Sequence, residues 1–109
     1  MSWVTDVLLT MNLVERFDKD FNIRESCEAL DNIDAWLEER ELGKLDELST
    51  HVRSGGKVMQ CHVYGGAFNF MKVDEFISVV ASQTWKRPDS VRLLIKDEQE
   101  DAFTIREIK

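Results

Sequence analysis

The chain has 109 residues, of which 43% are hydrophobic and 32% charged, and its formal net charge is −7 at pH 7. This composition predicts a single globular α+β domain over residues 1–109, with a core that needs neither disulfides nor a metal. No apolar run is long enough to span a bilayer, and no signal peptide is apparent at the N-terminus. The negative charge argues against nucleic-acid binding, which normally needs a basic surface, and it fits a basic protein partner.

The first two predicted elements are a strand over residues 3–11 and a helix over residues 24–41. The strand is nearly all apolar, which is typical of a central strand buried on much of both faces. The helix carries one apolar stripe because Leu30, Ile33 and Leu37 recur at spacings of three and four residues. Acidic residues cover its other side, and their pattern predicts a solvated face rather than a pair of catalytic carboxylates.

A β-hairpin is predicted next, over residues 45–64, with Gly55 and Gly56 as its two-residue loop. Two glycines can take the positive φ angles of a type I′ or II′ turn. This turn sets Ser54 opposite Lys57, and it fixes which side chains share each face of the hairpin. One face is apolar and is predicted to lie against the core; it carries Val52, Met59, Cys61 and Val63.

The other face of this hairpin is the candidate binding surface. It carries His51, Gln60, His62 and Tyr64, which include the only two histidines and the only tyrosine of the chain. Half-covered antiparallel sheets commonly carry such polar side chains in water, so a solvated face is the alternative interpretation.

The remaining elements are a helix over residues 73–84 and a second hairpin over residues 91–109. In this hairpin Leu93, Ile95 and Ile105 are predicted to share one face. Gly65 and Gly66 are predicted to mark a bulge or a close backbone approach at the end of a strand. The two cysteines are predicted to be buried and reduced, which fits a cytoplasmic protein.

This order of elements predicts a ferredoxin-like βαββαβ fold with an extra C-terminal strand. The sheet is expected to be antiparallel, with two helices on one face. The other face would be open to water, to a ligand or to a second subunit.

Three segments of the chain resemble a family of small, mostly uncharacterised bacterial proteins: WVTDVLL, DAWLEER and GGKVMQCHVYGGAFNF. Small acidic bacterial proteins of this type are similar to immunity proteins, which neutralise toxins. The resemblance implies a non-enzymatic inhibitor that binds a basic toxin.

Three other hypotheses stay open. A small-molecule-binding or enzymatic domain would use the open face, with His51 or His62 as a general base. A metal site would use both histidines together with Glu47, although the usual tight ligand spacing is missing. A homodimer would form through the open face or an edge strand. The sequence predicts no cofactor, no resident metal and no catalytic residue.

Overall fold

The computed structural model describes residues 3–108, without the side chains of His51 and Arg53. It is an α+β structure with two helices and a five-stranded antiparallel sheet, so the predicted α+β class is confirmed. Neither helix among these residues is long and apolar enough to cross a membrane.

The strands of the sheet are joined in the order β2-β5-β1-β6-β7, and β3 and β4 form a separate small hairpin. The strands and helices are β1 (Val4–Asn12), α1 (Glu28–Glu39), β2 (Asp46–Glu47), β3 (Arg53–Ser54), β4 (Lys57–Val58), β5 (Cys61–Asn69), α2 (Val73–Ala81), β6 (Arg92–Lys96) and β7 (Thr104–Arg106). Short 3₁₀ turns cover Leu13–Arg16, Ser49–His51 and Pro88–Ser90.

The alternation of buried and less buried side chains along β1 distinguishes the two faces of the sheet. Its odd-numbered side chains are buried, and the apolar ones join one core cluster with residues of both helices, among them Leu30 and Ile33 of α1 and Phe76 of α2. Its even-numbered side chains point to the opposite face and are only half-buried. The prediction that β1 is a central strand is confirmed, and its second face is less deeply buried than the first because both helices pack on one side of the sheet.

The predicted turn at Gly55 and Gly56 is confirmed. These residues have φ angles of 56° and 79°, as a type I′ turn requires, and Ser54 lies opposite Lys57. The pairing ends one residue further on, however, where Arg53 lies opposite Val58.

The predicted register of the longer hairpin is confirmed where its strands pair, but the face predicted to lie against the core is wrong. The pairing stops before Met59 and Gln60 and resumes in the same register between β2 and β5, where Glu47 lies opposite Tyr64. β5 also pairs with β1, which sets His62 opposite Met11 and Tyr64 opposite Leu9 on the helix-covered face. His62 and Tyr64 are therefore buried, whereas Met59, predicted to be in the core, is 36% exposed.

The glycine pair lies inside β5 and does not end it. The pairing runs without a bulge through Gly65 and Gly66, which lie opposite Leu8 and Val7. A Cβ atom on Gly66 would lie 2.5 Å from a ring carbon of Phe68, so the predicted close approach is present and comes from a side chain.

The C-terminal hairpin forms in a different register from the predicted one. Ile105 lies opposite Leu94, so it points away from the core and is 64% exposed. The loop that precedes β7 is anchored by Asp97, whose Oδ1 accepts hydrogen bonds from Trp3 Nε1 at 2.6 Å and Thr5 Oγ1 at 2.8 Å.

Candidate functional site

A buried ion pair lies at the end of the sheet where β1 leaves it. Arg16 belongs to the 3₁₀ turn that follows β1, and Glu47 belongs to the edge strand β2. Arg16 Nη1 lies 2.9 Å from Glu47 Oε1, and the side chains are 9% and 21% exposed. Arg16 Nε also donates to the Arg24 carbonyl at 2.7 Å, so the arginine joins the loop after the turn to the edge of the sheet.

Ser49 holds the second oxygen of this carboxylate. Its hydroxyl donates to Glu47 Oε2 at 3.1 Å and accepts from the Val63 backbone N–H at 3.2 Å. Both oxygens of Glu47 therefore have partners, which fixes the orientation of the carboxylate.

His62 and Tyr64 both contact the same guanidinium group. Arg16 Nη1 donates to Tyr64 Oη at 3.2 Å and lies 3.4 Å from His62 Nδ1. A guanidinium has no acceptor, so a hydrogen bond in this contact requires the tautomer whose ring proton is on Nε2. This Nε2 atom is buried, and no residue within the described part of the chain accepts a hydrogen bond from it.

Burial and Arg16 determine the protonation states of these groups. Burial, and then the positive charge of Arg16, lower the pKa of His62 below its usual 6.5, although Glu47 and the Leu13 backbone act in the opposite direction. Burial raises the pKa of Tyr64 to about 12. At neutral pH the imidazole and the phenol are therefore both uncharged.

A pocket of about 280 Å³ opens beside this cluster, next to the small hairpin. Arg16, Glu47 and His62 form its polar part. Its apolar lining comes from the turn after β1, the loop before α1 and the chain around β4, namely Leu13, Ile23, Val58 and Met59. This volume is near the lower limit of small-molecule pockets, and the mixture of apolar walls and a few polar groups is typical of binding sites.

The structure brings together only part of the predicted binding surface. Gln60 and His62 line the pocket, but Gln60 is exposed and donates to the Val58 carbonyl at 3.2 Å. Tyr64 lies deeper, against Arg16. His51 belongs to a 3₁₀ turn rather than to a strand, and its side chain lies outside the described residues. The prediction that these side chains share an open sheet face is wrong, because β5 turns His62 and Tyr64 toward the helices.

The register that the glycine turn sets places Ser49 and Glu47 on the same face as His62 and Tyr64, and Glu47 does lie opposite Tyr64, but Arg16 was not predicted. A buried arginine has no distinct pattern in the sequence, because Arg16 lies in a segment of mixed composition. One indirect signal was present, since a buried His62 and Tyr64 would need polar partners.

The hypothesis of a metal site gains no support from the side chains that the structure describes. Among them, no three His, Cys, Asp or Glu residues lie close enough together to hold a metal ion. His62 Nδ1 lies 3.9 Å from Glu47 Oε2, and Arg16 lies between the same two groups. The positive charge of Arg16 would repel a cation there.

Glu15, which precedes Arg16, has a structural role. Its carboxylate accepts hydrogen bonds from the backbone N–H groups of Lys86 and Arg87 at 2.9 and 2.7 Å. The 3₁₀ turn after β1 thus anchors two distant segments through adjacent side chains.

Comparison of the chain with family models, with curated proteins and with solved structures gave no match. The resemblance to small bacterial proteins and to immunity proteins therefore stays a prediction.

Proposed function

We propose that this protein is a small, acidic, non-enzymatic binding protein that recognises a protein partner at the pocket beside His62. The observation that carries the proposal is the exposed apolar rim of this pocket. Ile23, Val58 and Met59 line it and are 57%, 44% and 36% exposed. Exposed apolar side chains grouped around a polar centre are typical of interaction sites.

Neighbouring segments of the chain add to this apolar surface. Phe21 is 81% exposed, and Val52, which follows the 3₁₀ turn at Ser49–His51, is 51% exposed. Most of the large exposed apolar side chains within the described residues thus come from two short stretches, residues 21–23 and 52–59.

The charge of the chain favours a basic partner. The net charge of −7 would attract such a partner over long distances and speed its encounter. An immunity-type inhibitor of a basic toxin is the class of protein that combines this charge with the resemblance of the sequence. We also propose a cytoplasmic location, which the two free cysteines support.

The chemistry of the cluster favours binding over catalysis. His62 Nδ1 lies against Arg16 Nη1 at 3.4 Å, and the other ring nitrogen is enclosed, so neither nitrogen is placed to remove a proton from a substrate. Tyr64 stays protonated at neutral pH because its pKa is about 12. Arg16 and Glu47 form an ion pair, so their charges neutralise each other.

We further propose a ferredoxin-like arrangement for the core. The order β2-β5-β1-β6, with one helix after β1 and another after β5, supports it. In this arrangement β7 is the additional C-terminal strand, and the β3–β4 hairpin is an insertion between β2 and β5.

An affinity purification from the cells of origin tests the proposed partner. The tagged wild-type protein should retain a basic protein in a stoichiometric amount, identified by mass spectrometry. The Ile23→Lys variant should lose most of this partner, because a charge in the apolar rim must be desolvated on binding.

The matched control is Phe70→Lys. Phe70 is 66% exposed and follows the opposite end of β5 from His62, so its replacement should leave the partner bound. Recovery of no protein with the wild type, or equal recovery with both variants, would contradict the proposal.

The pocket volume of about 280 Å³ favours a second candidate, a small apolar ligand bound at the same place. The purification distinguishes the two candidates. A ligand-binding protein would retain a small molecule, detected by mass spectrometry of the denatured eluate, and no stoichiometric protein.

A further inference from the structure

The face of the sheet opposite the helices carries a row of apolar side chains. Leu8 of β1 lies opposite Leu94 of β6, and Leu94 lies opposite Ile105 of β7. On its other side Leu8 lies opposite Gly65 of β5, and Leu48 covers this glycine, with its Cδ1 atom 2.8 Å from the position of a Cβ on Gly65. The apolar row therefore runs across the central strands of the sheet to the edge strand β7.

Charged side chains flank this row on the same face. On one side Asp6 of β1 lies opposite Lys96 of β6, and on the other side Thr10 lies opposite Arg92. Neither Asp6 nor Lys96 forms an ion pair with any residue that the structure describes, although they are direct neighbours across two strands. Both charges are thus available to a partner that covers the face.

We propose that this face binds the same face of a second copy of the chain, around a twofold axis that runs parallel to β1 and β6 and passes between them. This axis sets β1 of one copy over β6 of the other. Leu8 then meets Leu94 of the second copy, and Asp6 meets Lys96 of the second copy. Each contact occurs twice because the interface is symmetric.

The charged side chains favour this axis over a second possible twofold axis, which also lies in the plane of the face but runs perpendicular to the strands. A twofold axis perpendicular to the strands would stack β6 on β6 and set Lys96 against Arg92 of the second copy. Like charges in contact would oppose that dimer. Either axis keeps the strands of the two sheets aligned, as in sandwiches whose sheets pack about 10 Å apart, so the charges alone distinguish the two dimers.

The interface is small, so the dimer is expected to be weak. Five strands spaced about 4.8 Å apart give a face roughly 20–25 Å wide, with few large side chains on it. Interfaces of this size belong to the weaker class of specific complexes. The dimer should therefore dissociate on dilution, and its formation should be visible as a concentration-dependent mass in sedimentation velocity, starting from a 12.7 kDa monomer.

Charge reversal tests the proposed pairing. The Asp6→Lys variant sets two lysine side chains against each other across the interface, and the Lys96→Asp variant sets two aspartates together. Each variant should dimerise about tenfold or more weakly than the wild type, because two symmetric pairs change from attraction to repulsion. An equimolar mixture of the two variants should restore the dimer, because both variants then contribute opposite charges to the pairs between them.

The mixture separates this proposal from an effect within one chain. A loss caused by the contact of Asp6 with Lys96 in the same chain would not be repaired by mixing. The matched controls are Asp74→Lys and Lys72→Asp at the start of α2, on the other side of the molecule, and they should leave the dimer unchanged.

A wild type that stays monomeric up to about 1 mM, or a mixture that stays as monomeric as its components, would overturn the proposal. Neither result would affect the proposed partner site, which lies beside His62 and is tested with Ile23→Lys.

Discussion

His62 depends on its neighbours for its charge state, and this makes it sensitive to pH. The residue is 5% exposed, and Arg16 Nη1 and Glu47 Oε2 lie 3.4 Å and 3.9 Å from its Nδ1. Protonation would remove the acceptor at Nδ1 and add a positive charge beside the guanidinium. The fold therefore favours the neutral ring, in agreement with the lowered pKa.

The first prediction is that stability falls as the pH drops below about 6.5. A histidine whose folded pKa is depressed takes up a proton more readily when unfolded. Its neutral form therefore stabilises the fold above the unfolded pKa, and this stabilisation is lost as the pH falls toward the folded pKa. The free energy of unfolding should decrease by up to about 1.4 kcal/mol per pH unit in this range, measured by urea titrations.

The control for this prediction is His62→Asn, which keeps an acceptor close to the position of Nδ1 but does not titrate. Its stability should change less between about pH 7 and pH 5 than that of the wild type. Parallel curves for both proteins would show that carboxylates, and not His62, cause the pH dependence.

At the scale of a single element, the sizes of the side chains on each face of β5 determine how the strand packs in the sheet. Tyr64 and Phe68 point to the helices and are 7% and 3% exposed. Gly65 lies on the opposite face under Leu48, and Gly66 lies under the Phe68 ring. The strand thus buries two large aromatic side chains, and the glycines leave room for neighbours to fold over the backbone.

The second prediction concerns Gly66→Ala. The new methyl group would collide with the Phe68 ring, which cannot move freely because it is buried in the core. The free energy of unfolding should fall by about 1–3 kcal/mol, measured by chemical denaturation.

A smaller side chain at position 68 should relieve this collision. In the Phe68→Leu background, Gly66→Ala should cost clearly less than in the wild type, which makes the two changes non-additive. Equal costs in both backgrounds would mean that the effect comes from the glycine backbone alone.

Over the whole molecule, stability is expected to be uneven. β1 pairs with a strand on each side and lines the core, whereas β3 and β4 pair only with each other and are exposed where their side chains are described. Local opening requires little free energy where few apolar contacts are broken.

The third prediction is therefore a gradient of amide hydrogen exchange. Val7, Leu9 and Ile95 should exchange slowest, near the free energy of global unfolding, and Lys57 and Val58 should exchange fastest among the strand residues. Comparable protection of both groups in NMR exchange experiments would mean that the small hairpin is held by the rest of the molecule.

Local patterns in the sequence were sufficient for much of the fold. The stripe of Leu30, Ile33 and Leu37 predicts α1, although four residues too many at its start and two at its end. Gly55 and Gly56 predict a tight turn and the two residue pairs beside it. These features depend on residues close together in the chain, and the spacing of side chains determines them directly.

The candidate site depended on the tertiary structure. Whether His62 faces water or the helices is set by the pairing of β5 with β1, whose residues are about fifty positions apart in the chain. Once that pairing buries His62 and Tyr64, Arg16 and Glu47 come from two other segments to satisfy them. The sequence by itself determined the elements, the net charge and which side chains share each face of the hairpin. Only the tertiary structure decided which of these faces the helices cover, because that depends on packing between segments far apart in the chain.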